Sequence, residues 1–368
     1  MKKIGRQVHF IGATQSISRN GEGSFIRLKD GAILFGYTEF NSSGREDEDI
    51  AHIVAIKSPN DGESWSDKFI LFEKPEDAVN IMSLSFLPMA NGDIGAFYIV
   101  KHHDGTDDIV LSRSSDEGVT WSSPTSCLKG ILKSDYYILN NDRAVRLSTG
   151  RIILPLACHT IHTASDIFMP GEILFLYSDD DGITWNKLPQ ELRCPFPDDP
   201  NGLQEPGIFE MDNGKLWCYI RTGLGFQYQS FSSDEGKTWS APEPNIFFSS
   251  PCSPMLVKKC GEYTIAIFNP IPEHILRDDE KEFWGRTPYV IAVNNDNGNT
   301  FLQENIYYIE DDLNNGYCYP AVIECEGGFL VAYYHSNNTD CCLNSTKIIK
   351  ISYDEIRWCY DIRRKKSN

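Results

Sequence analysis

The chain has 368 residues, of which 41% are apolar and 23% are charged, so it can bury a core of ordinary size. Its 34 basic and 52 acidic residues give a formal net charge of −18. A field of that sign opposes binding to nucleic acids and anionic membrane surfaces, and neither partner is expected. No run of the sequence approaches the roughly 18 apolar residues that a membrane-spanning helix needs.

The 11 cysteines contain no C-x-x-C pair and follow no regular spacing. This pattern favours reduced thiols over a disulfide framework. No apolar stretch of signal-peptide length follows Met1-Lys2-Lys3, so a cytoplasmic location is expected. A chain from which a leader had been removed would look the same, which keeps a secreted or periplasmic location open.

One turn motif recurs along the chain and is clearest as Ser114-Ser-Asp-Glu-Gly-Val-Thr-Trp121. Its Asp and Ser/Thr side chains satisfy turn N–H groups, its Gly supplies positive φ, and its aromatic residue is buried. The motif occupies residues 58–65, 114–121, 178–185, 232–239 and, in a degenerate copy, 294–301. Because the same turn chemistry recurs in every copy, these Asp-rich segments are interpreted as structural turns and not as metal or catalytic sites.

A second repeat alternates with the first and consists of a tight turn ending in Gly, followed by an apolar strand. Its turns end at Gly31, Gly92, Gly150, Gly214, Gly261 and Gly328. Each period thus holds an inner and an outer hairpin, which together make a four-stranded antiparallel sheet. Six such sheets predict an all-β, six-bladed β-propeller, one domain over residues 1–368. The sixth period lacks an outer turn, so the N-terminal strand Val8-His-Phe-Ile11 is expected to close the ring.

The innermost strands of a propeller line a central cavity in one common direction, so residues at equal depth should surround one mouth. Counting eight residues back from each inner turn reaches Glu22, Ser83, Asn141, Glu205, Cys252 and Tyr319. The same count makes Glu205 and Arg221 cross-strand neighbours, and the guanidinium would hold the carboxylate ionised as a base. A phenol beside such a base is an activated nucleophile. The alternatives are a plain ion pair and a buried, hydrogen-bonded Tyr319.

These features resemble the sialidase (neuraminidase) superfamily, and most closely its bacterial branch with BNR (Asp-box) repeats. The resemblance covers nearly the whole chain. Beside the turn motifs it rests on four residues in a fixed order, Glu205, Arg221, Arg286 and Tyr319. It implies an exo-acting, retaining glycoside hydrolase that releases sialic acid or a related acidic sugar from glycoconjugates.

The resemblance also implies a role for each matching residue. Tyr319 matches the nucleophile, and Glu205 matches the base that polarises it. A neutral phenol avoids the repulsion that a carboxylate nucleophile would meet at an anomeric carbon that carries a carboxylate. Arg221 and Arg286 match two of the three arginines that bind this substrate carboxylate, which guanidinium groups fit in fork geometry.

Two positions of the family pattern stay open. The acid/base Asp of the family lies in a loop before the first turn motif, so Asp47 or Asp49 is the candidate. Family members also carry an Arg-Ile-Pro-like motif on the first inner strand, whereas this chain has Glu22 at the mouth. Arg27 lies deeper, with the opposite strand parity.

Two hypotheses address the missing arginine. In one, Arg143 completes the clamp, because it lies two residues past Asn141 and on the same strand face. In the other, Glu22 contacts a hydroxyl or amine of a different substrate. With both hypotheses open, Glu22, Arg143 and Asn141 are all candidate substrate-binding residues.

Two other functions fit parts of the sequence, namely a non-catalytic propeller that binds sugars or proteins, and a glycosidase or lyase on another polysaccharide. Glu205, Arg221 and Tyr319 together favour an enzyme, because a scaffold has no need of this set.

The segment His159-Thr-Ile-His162 lacks a nearby Glu and is not interpreted as a zinc site. No metal or organic cofactor is expected.

Overall fold

The computed structural model describes residues 1–41, 47–159, 170–272, 286–336 and 343–357. Arg45 and Glu46, residues 160–162 of the His-x-x-His segment, and the pair Cys341 and Cys342 lie outside these ranges. Within them, eight cysteines are free thiols. No helical segment of the described chain has the length and apolar character of a membrane span.

Each repeat period forms one blade, which confirms the predicted six-bladed β-propeller. Blade 1 contains β2 (Arg19–Arg27), β3 (Ile33–Phe40), β4 (Ala51–Ser58) and β5 (Phe69–Phe72). Blade 2 contains β6 (Ala78–Pro88), β7 (Ile94–His102), β8 (Asp107–Ser114) and β9 (Thr125–Ser126). Blade 3 contains β10 (Tyr136–Ile138), β11 (Val145–Arg146), β12 (Ile152–His159), β13 (Glu172–Ser178) and β14 (Asn186–Lys187).

The second half of the chain continues the same order. Blade 4 contains β15 (Gln204–Glu210), β16 (Leu216–Arg221), β17 (Phe226–Ser232) and β18 (Glu243–Ser249). Blade 5 contains β19 (Leu256–Cys260), β20 (Tyr263–Phe268), β21 (Tyr289–Asn294) and β22 (Ile306–Glu310), with a 3-10 turn at Gln303–Asn305. Blade 6 contains β23 (Tyr317–Cys325), β24 (Gly328–His335), β25 (Ser345–Ser352) and β1 (Arg6–Ile11). A helical turn follows at residues 353–357.

The first and last strands close the ring, as predicted. Strand β1 pairs antiparallel with β25, with Arg6 opposite Lys350 and Phe10 opposite Lys347. The N-terminal strand is therefore the outermost strand of blade 6. This closure ties the two ends of the chain into one sheet.

The repeated outer turns form both a local structure and a contact between blades. In the third copy, Ser178 Oγ accepts the Gly182 N–H at 2.8 Å, and Asp180 accepts the Thr184 N–H at 2.8 Å. The aromatic residue reaches the preceding blade: Trp239 of blade 4 stacks on Phe175 of blade 3, with ring centroids 4.6 Å apart. The Asp-rich motifs are thus structural in each described contact.

The inner strands carry a β-bulge at the depth of the predicted ring. Register shifts interrupt the inner-strand pairing of blades 1, 2, 4 and 6. The bulge residues adopt left-handed φ values of 53°, 57°, 42° and 54° at Glu22, Ser83, Glu205 and Tyr319. In blade 3 the inner strand is split into β10 and β11, a departure from the expected four strands. Such bulges redirect a side chain and are frequent beside functional sites.

Candidate active site

Tyr319, Glu205 and Arg221 form a connected set at the mouth of the central cavity. The Tyr319 hydroxyl donates a hydrogen bond of 2.8 Å to Glu205 Oε1. Arg221 Nη1 lies 2.8 Å from Glu205 Oε2 and 3.4 Å from the Tyr319 hydroxyl oxygen. The backbone partner of Arg221 is Gln204, not Glu205 as the hairpin count predicted, because the bulge shifts the register by one residue. The side chains of Glu205 and Arg221 still meet.

The surroundings of this set shift the pKa values of Glu205 and Tyr319 in opposite directions. Burial opposes ionisation of Glu205, but Arg221, with smaller contributions from Arg286 and the Tyr319 hydrogen bond, brings its pKa below the ordinary value. Burial, together with the neighbouring Glu205 charge, raises the pKa of the Tyr319 phenol well above its ordinary value. The resting site therefore holds a neutral phenol beside an ionised carboxylate.

Arg286 lies on the other side of the same phenol. Its guanidinium carbon is 5.4 Å from the centroid of the Tyr319 ring, and its side chain is almost fully buried. Arg286 donates to Cys318 Sγ at 3.2 Å and to the Cys252 carbonyl oxygen at 3.4 Å. Arg221 Nε also donates to Cys252, through its sulfur at 3.2 Å. Cys252 thus connects the two arginines.

A third arginine, Arg19, reaches the site and was missed by the sequence analysis. It is 2% exposed, donates from Nε to the Tyr334 hydroxyl at 2.9 Å, and forms ion pairs with Glu22 and Asp47. The equal-depth count assumed a regular strand, whereas the bulge at Glu22 changes which residues face the cavity. The signal that could have revealed it is Gly21 and Gly23 on either side of Glu22, a pattern that indicates a bulge.

Glu22 is occupied by protein donors. Ser83 Oγ donates to its Oε2 at 2.6 Å, and Arg19 pairs with its Oε1. The Tyr334 hydroxyl lies 3.4 Å from the same Oε1. The structure places Glu22 as a support for Arg19, with 3% of its surface exposed.

Asp47 and Asp49 are anchored by one residue of blade 2. Asn80 Nδ2 donates to the carbonyl oxygens of Asp47 and Asp49 at 2.6 and 2.8 Å. The carboxylate of Asp47, whose side chain is 45% exposed, points to Arg19. Partial desolvation by the surrounding protein acts to raise the pKa of Asp47, but the charges of Arg19 and Lys101 outweigh it and lower the pKa below the ordinary value.

Arg143 and Asn141 do not face this set. Arg143 Nη2 donates to the Met255 carbonyl oxygen at 2.5 Å, and its guanidinium carbon lies 5.4 Å from the Tyr219 ring centroid. Asn141 Nδ2 donates to carbonyl oxygens of blades 1 and 6 at 2.9 and 3.3 Å, so it links inner strands across the axis.

Arg27 binds the Gly31 carbonyl oxygen at 2.7 Å, at the turn end of its strand.

A second polar group extends outward from Asp47 along blade 2. Lys101 is buried. Its Nζ lies 3.2 Å from Glu48 Oε1 and 5.0 Å from the centroid of the Tyr136 ring. Asp107 pairs with Lys101 across β7 and β8 and is 5% exposed. Burial raises the pKa of Asp107 to about 8. The charge of Lys101 opposes this shift, and the charges of Asp47 and Glu48 reinforce it.

Comparison with known proteins identifies the family. A model of the BNR repeat-like domain matches residues 28–332. The chain belongs to this family, within the sialidase superfamily. The other matches of this BNR repeat-like protein agree with that membership.

Two curated relatives are distant. An anhydrosialidase of Macrobdella decora is 25% identical over 239 residues, which cover 61% of this chain and 29% of the relative. A sialidase of Paraclostridium sordellii is 22% identical over 246 residues, which cover 60% of this chain and 57% of the relative. The matched part therefore spans about a third to somewhat over half of the length of these relatives.

The same fold occurs in solved structures. The intramolecular trans-sialidase from Ruminococcus gnavus, in complex with oseltamivir carboxylate, superposes with a TM-score of 0.72 at 14% identity. The superposition covers 95% of this chain and 97% of that one. At this identity the likeness establishes the propeller fold.

Proposed function

We propose that this BNR repeat-like protein is an exo-acting, retaining glycoside hydrolase that releases sialic acid or a related acidic sugar. The observation that carries the proposal is the 2.8 Å hydrogen bond from Tyr319 to Glu205, with Arg221 in contact with both. The names of the curated relatives support the same chemistry. A purely structural blade contact would not require a buried phenol, a carboxylate and a guanidinium at one mouth.

In this proposal, Arg19, Arg221 and Arg286 bind the substrate carboxylate. All three are buried beside the Tyr319 or Tyr334 rings, where a guanidinium binds an anion more strongly than it would in water. Arg143 has no part in this clamp, because its guanidinium faces Met255 and Tyr219. Arg19 thus takes the place that the sequence left empty.

The first half of the reaction forms a covalent sugar–tyrosine bond. The Tyr319 oxygen attacks the anomeric carbon while its proton passes to Glu205, which is 2.8 Å away. The bond to the leaving group breaks, and protonated Asp47 gives its proton to the departing oxygen. The sugar is then bound to Tyr319, Glu205 is neutral and Asp47 is ionised.

The second half reverses these transfers with water. Asp47 accepts a proton from a water molecule, whose oxygen attacks the anomeric carbon. The bond to Tyr319 breaks, and the phenolate recovers its proton from Glu205. Two displacements at one carbon retain its configuration, and every group returns to its starting protonation state.

Substrate binding prepares Asp47 for its role as the acid. In the ligand-free site Arg19 lowers the pKa of Asp47 and keeps it ionised. A substrate carboxylate that pairs with Arg19 adds a negative charge nearby and weakens this hold. The pKa of Asp47 then rises, so the proton needed by the leaving group is bound only when substrate is present.

The test is the turnover of a fluorogenic sialoside by wild type and by Tyr319→Phe. We expect wild-type turnover and a loss of at least about 10³-fold in kcat for the variant, since the nucleophile is removed. Tyr317→Phe is the matched control, because Tyr317 lies on the same strand but donates to the Asp312 carbonyl oxygen. The control should turn over substrate at nearly the wild-type rate.

Binding of a sialoside without turnover by the wild type would overturn the proposal. It would favour a sugar-binding propeller. Turnover of a different polysaccharide, but of no sialoside, would support a glycosidase or lyase with another specificity.

A further inference from the structure

A cavity lies at the far end of the central channel, away from Tyr319 and Glu205. Its volume is about 530 Å³. The six inner strands run in one direction, and their final residues, among them Arg27, Pro88 and Glu210, surround its mouth. We call this space the lower cavity.

The walls of the lower cavity are largely apolar. They include apolar residues from five of the blades, namely Phe25, Phe86, Ile208, Phe209, Leu256 and Val322. Cavities of about 300–1,000 Å³ with apolar walls and a few placed polar groups are typical sites for small organic ligands.

Four of the five basic residues that line the lower cavity have acidic partners. The pairs are Arg27–Asp61 at 2.8 Å, Arg146–Asp181 at 2.6 Å, Lys258–Asp142 at 2.7 Å and Lys259–Asp212 at 2.8 Å. These pairs leave little positive charge available to a ligand.

Arg143 differs from these four. It is 3% exposed, and it forms no ion pair with any residue that the structure describes. Among the residues that the structure describes, Nε and Nη1 find no hydrogen-bond partner, whereas Nη2 donates to the Met255 carbonyl oxygen. A buried guanidinium without a counter-charge is costly, and an anion that pairs with it offsets that cost.

We propose that the lower cavity binds a monoanionic organic ligand, whose carboxylate pairs with Arg143 and whose apolar body packs against the cavity walls. Arg143 lines the cavity, and its Nε and Nη1 are the two donors that we assign to the ligand carboxylate. Asp142, Glu210 and Glu324 also line this space and disfavour a multiply charged anion. This site is separate from the proposed catalytic mouth and does not depend on its activity.

The probe is 4-phenylbutyrate, measured by isothermal titration calorimetry against 4-phenylbutanamide, which has the same shape without the charge. We expect wild type to bind one phenylbutyrate per chain, at least about tenfold more tightly than the amide. Arg143→Met should weaken phenylbutyrate binding by at least about tenfold.

Two matched controls locate the site. Arg146→Met removes another lining arginine, but one that is paired with Asp181, and Arg221→Met removes an arginine of the catalytic mouth. Both variants should bind phenylbutyrate within about threefold of wild type, a difference smaller than that of one hydrogen bond to a charged group. A loss in Arg221→Met with none in Arg143→Met would overturn the proposal.

A measurement on the wild type alone tests the proposal even if the Arg143→Met variant does not fold. Phenylbutyrate should bind unchanged when the protein is saturated with a sialic acid, because the two ligands occupy opposite ends of the channel. Competition between the two, equal affinity for the amide, or no binding of phenylbutyrate would each contradict the proposal.

Discussion

The two faces of the propeller, the turn end and the mouth end of its strands, repeat in different ways. At the turn end, backbone and side chains both recur, as in the outer turn in which Ser178 and Asp180 bind turn N–H groups. At the mouth end only the backbone recurs: the same left-handed bulge carries Glu22 in one blade and Tyr319 in another. The recurring side chains of the turns stabilise the blades. At the mouth, the recurring bulge holds a different side chain in each blade, and these side chains form the candidate active site.

Among the variants that compare the two ends, the largest effect should come from removing Arg19 at the mouth. Arg19→Met should lower kcat/KM for a sialoside by about 10²–10³-fold, because a buried, charge-assisted contact with the substrate carboxylate is lost. Steady-state kinetics of the variant measure this loss.

Arg27→Met is the matched control, from the other end of the same strand. Arg27 binds Gly31 and Asp61 at the turn, so its loss should leave KM and kcat nearly unchanged. Equal kinetic defects in the two variants would show that the ends of this strand are not functionally distinct.

A pair of glycines on the same hairpin gives the next effect. A Cβ atom on Gly21 would lie 2.1 Å from the ring of Tyr334, which binds Arg19. Gly21→Ala should therefore displace Tyr334 and Arg19 and lower kcat/KM by about tenfold, the effect of roughly one lost hydrogen bond. Kinetics and thermal unfolding together distinguish this from a loss of fold.

Gly31→Ala is the turn-end counterpart. A Cβ atom on Gly31 would meet no atom of the described residues within 4 Å, but the φ of 88° disfavours any other residue. We expect a loss of about 1 kcal/mol in the free energy of unfolding and unchanged KM. A change of KM in Gly31→Ala, or wild-type kinetics in Gly21→Ala, would show that the mouth end and the turn end of this hairpin do not differ in function.

The last effect concerns the dependence of stability on pH. The pKa of Asp107 is about 8 in the folded chain, against an ordinary value of 3.8. The unfolded chain releases this proton at lower pH than the folded chain does, so Asp107 reduces stability as pH rises between these values. Asp107→Asn should therefore raise the free energy of unfolding at pH 7.5 by up to about 5 kcal/mol, and by only about 1 kcal/mol at pH 4.5.

Asp180 at the turn end should behave in the opposite sense. Its hydrogen bonds to Thr184 lower its pKa, so its contribution to stability is present at neutral pH and is lost in acid. Asp180→Asn should thus destabilise the protein at pH 7.5 and less at low pH. Denaturant unfolding at both pH values compares the two variants, and the same sign for both would contradict the comparison.

The fold was predictable because the turn chemistry is local. Gly31 and the Ser178–Trp185 motif specify their hairpins from neighbouring residues alone, and the count of such turns defined six blades. The ring closure by β1 followed from the one outer turn that the sequence lacks.

The mouth was predictable only in part. Equal depth brought Glu205 and Tyr319 together, but the bulge at Glu22 moved Arg19 into the site and invalidated strand parity as a guide. Arg143 shares a predicted strand face with Asn141, yet the split between β10 and β11 directs it to the lower cavity. A one-residue bulge has no unique sequence pattern, so these positions required coordinates.

The identity of the nucleophile is tested most directly by covalent trapping. A sialosyl fluoride with a second fluorine at carbon 3 forms the sugar–enzyme bond but slows its hydrolysis. After proteolysis, mass spectrometry should find the added sugar on the peptide that contains Tyr319, and no label in Tyr319→Phe. A label on Glu205 or Asp47, or full turnover with no labelled peptide, would contradict the assignment.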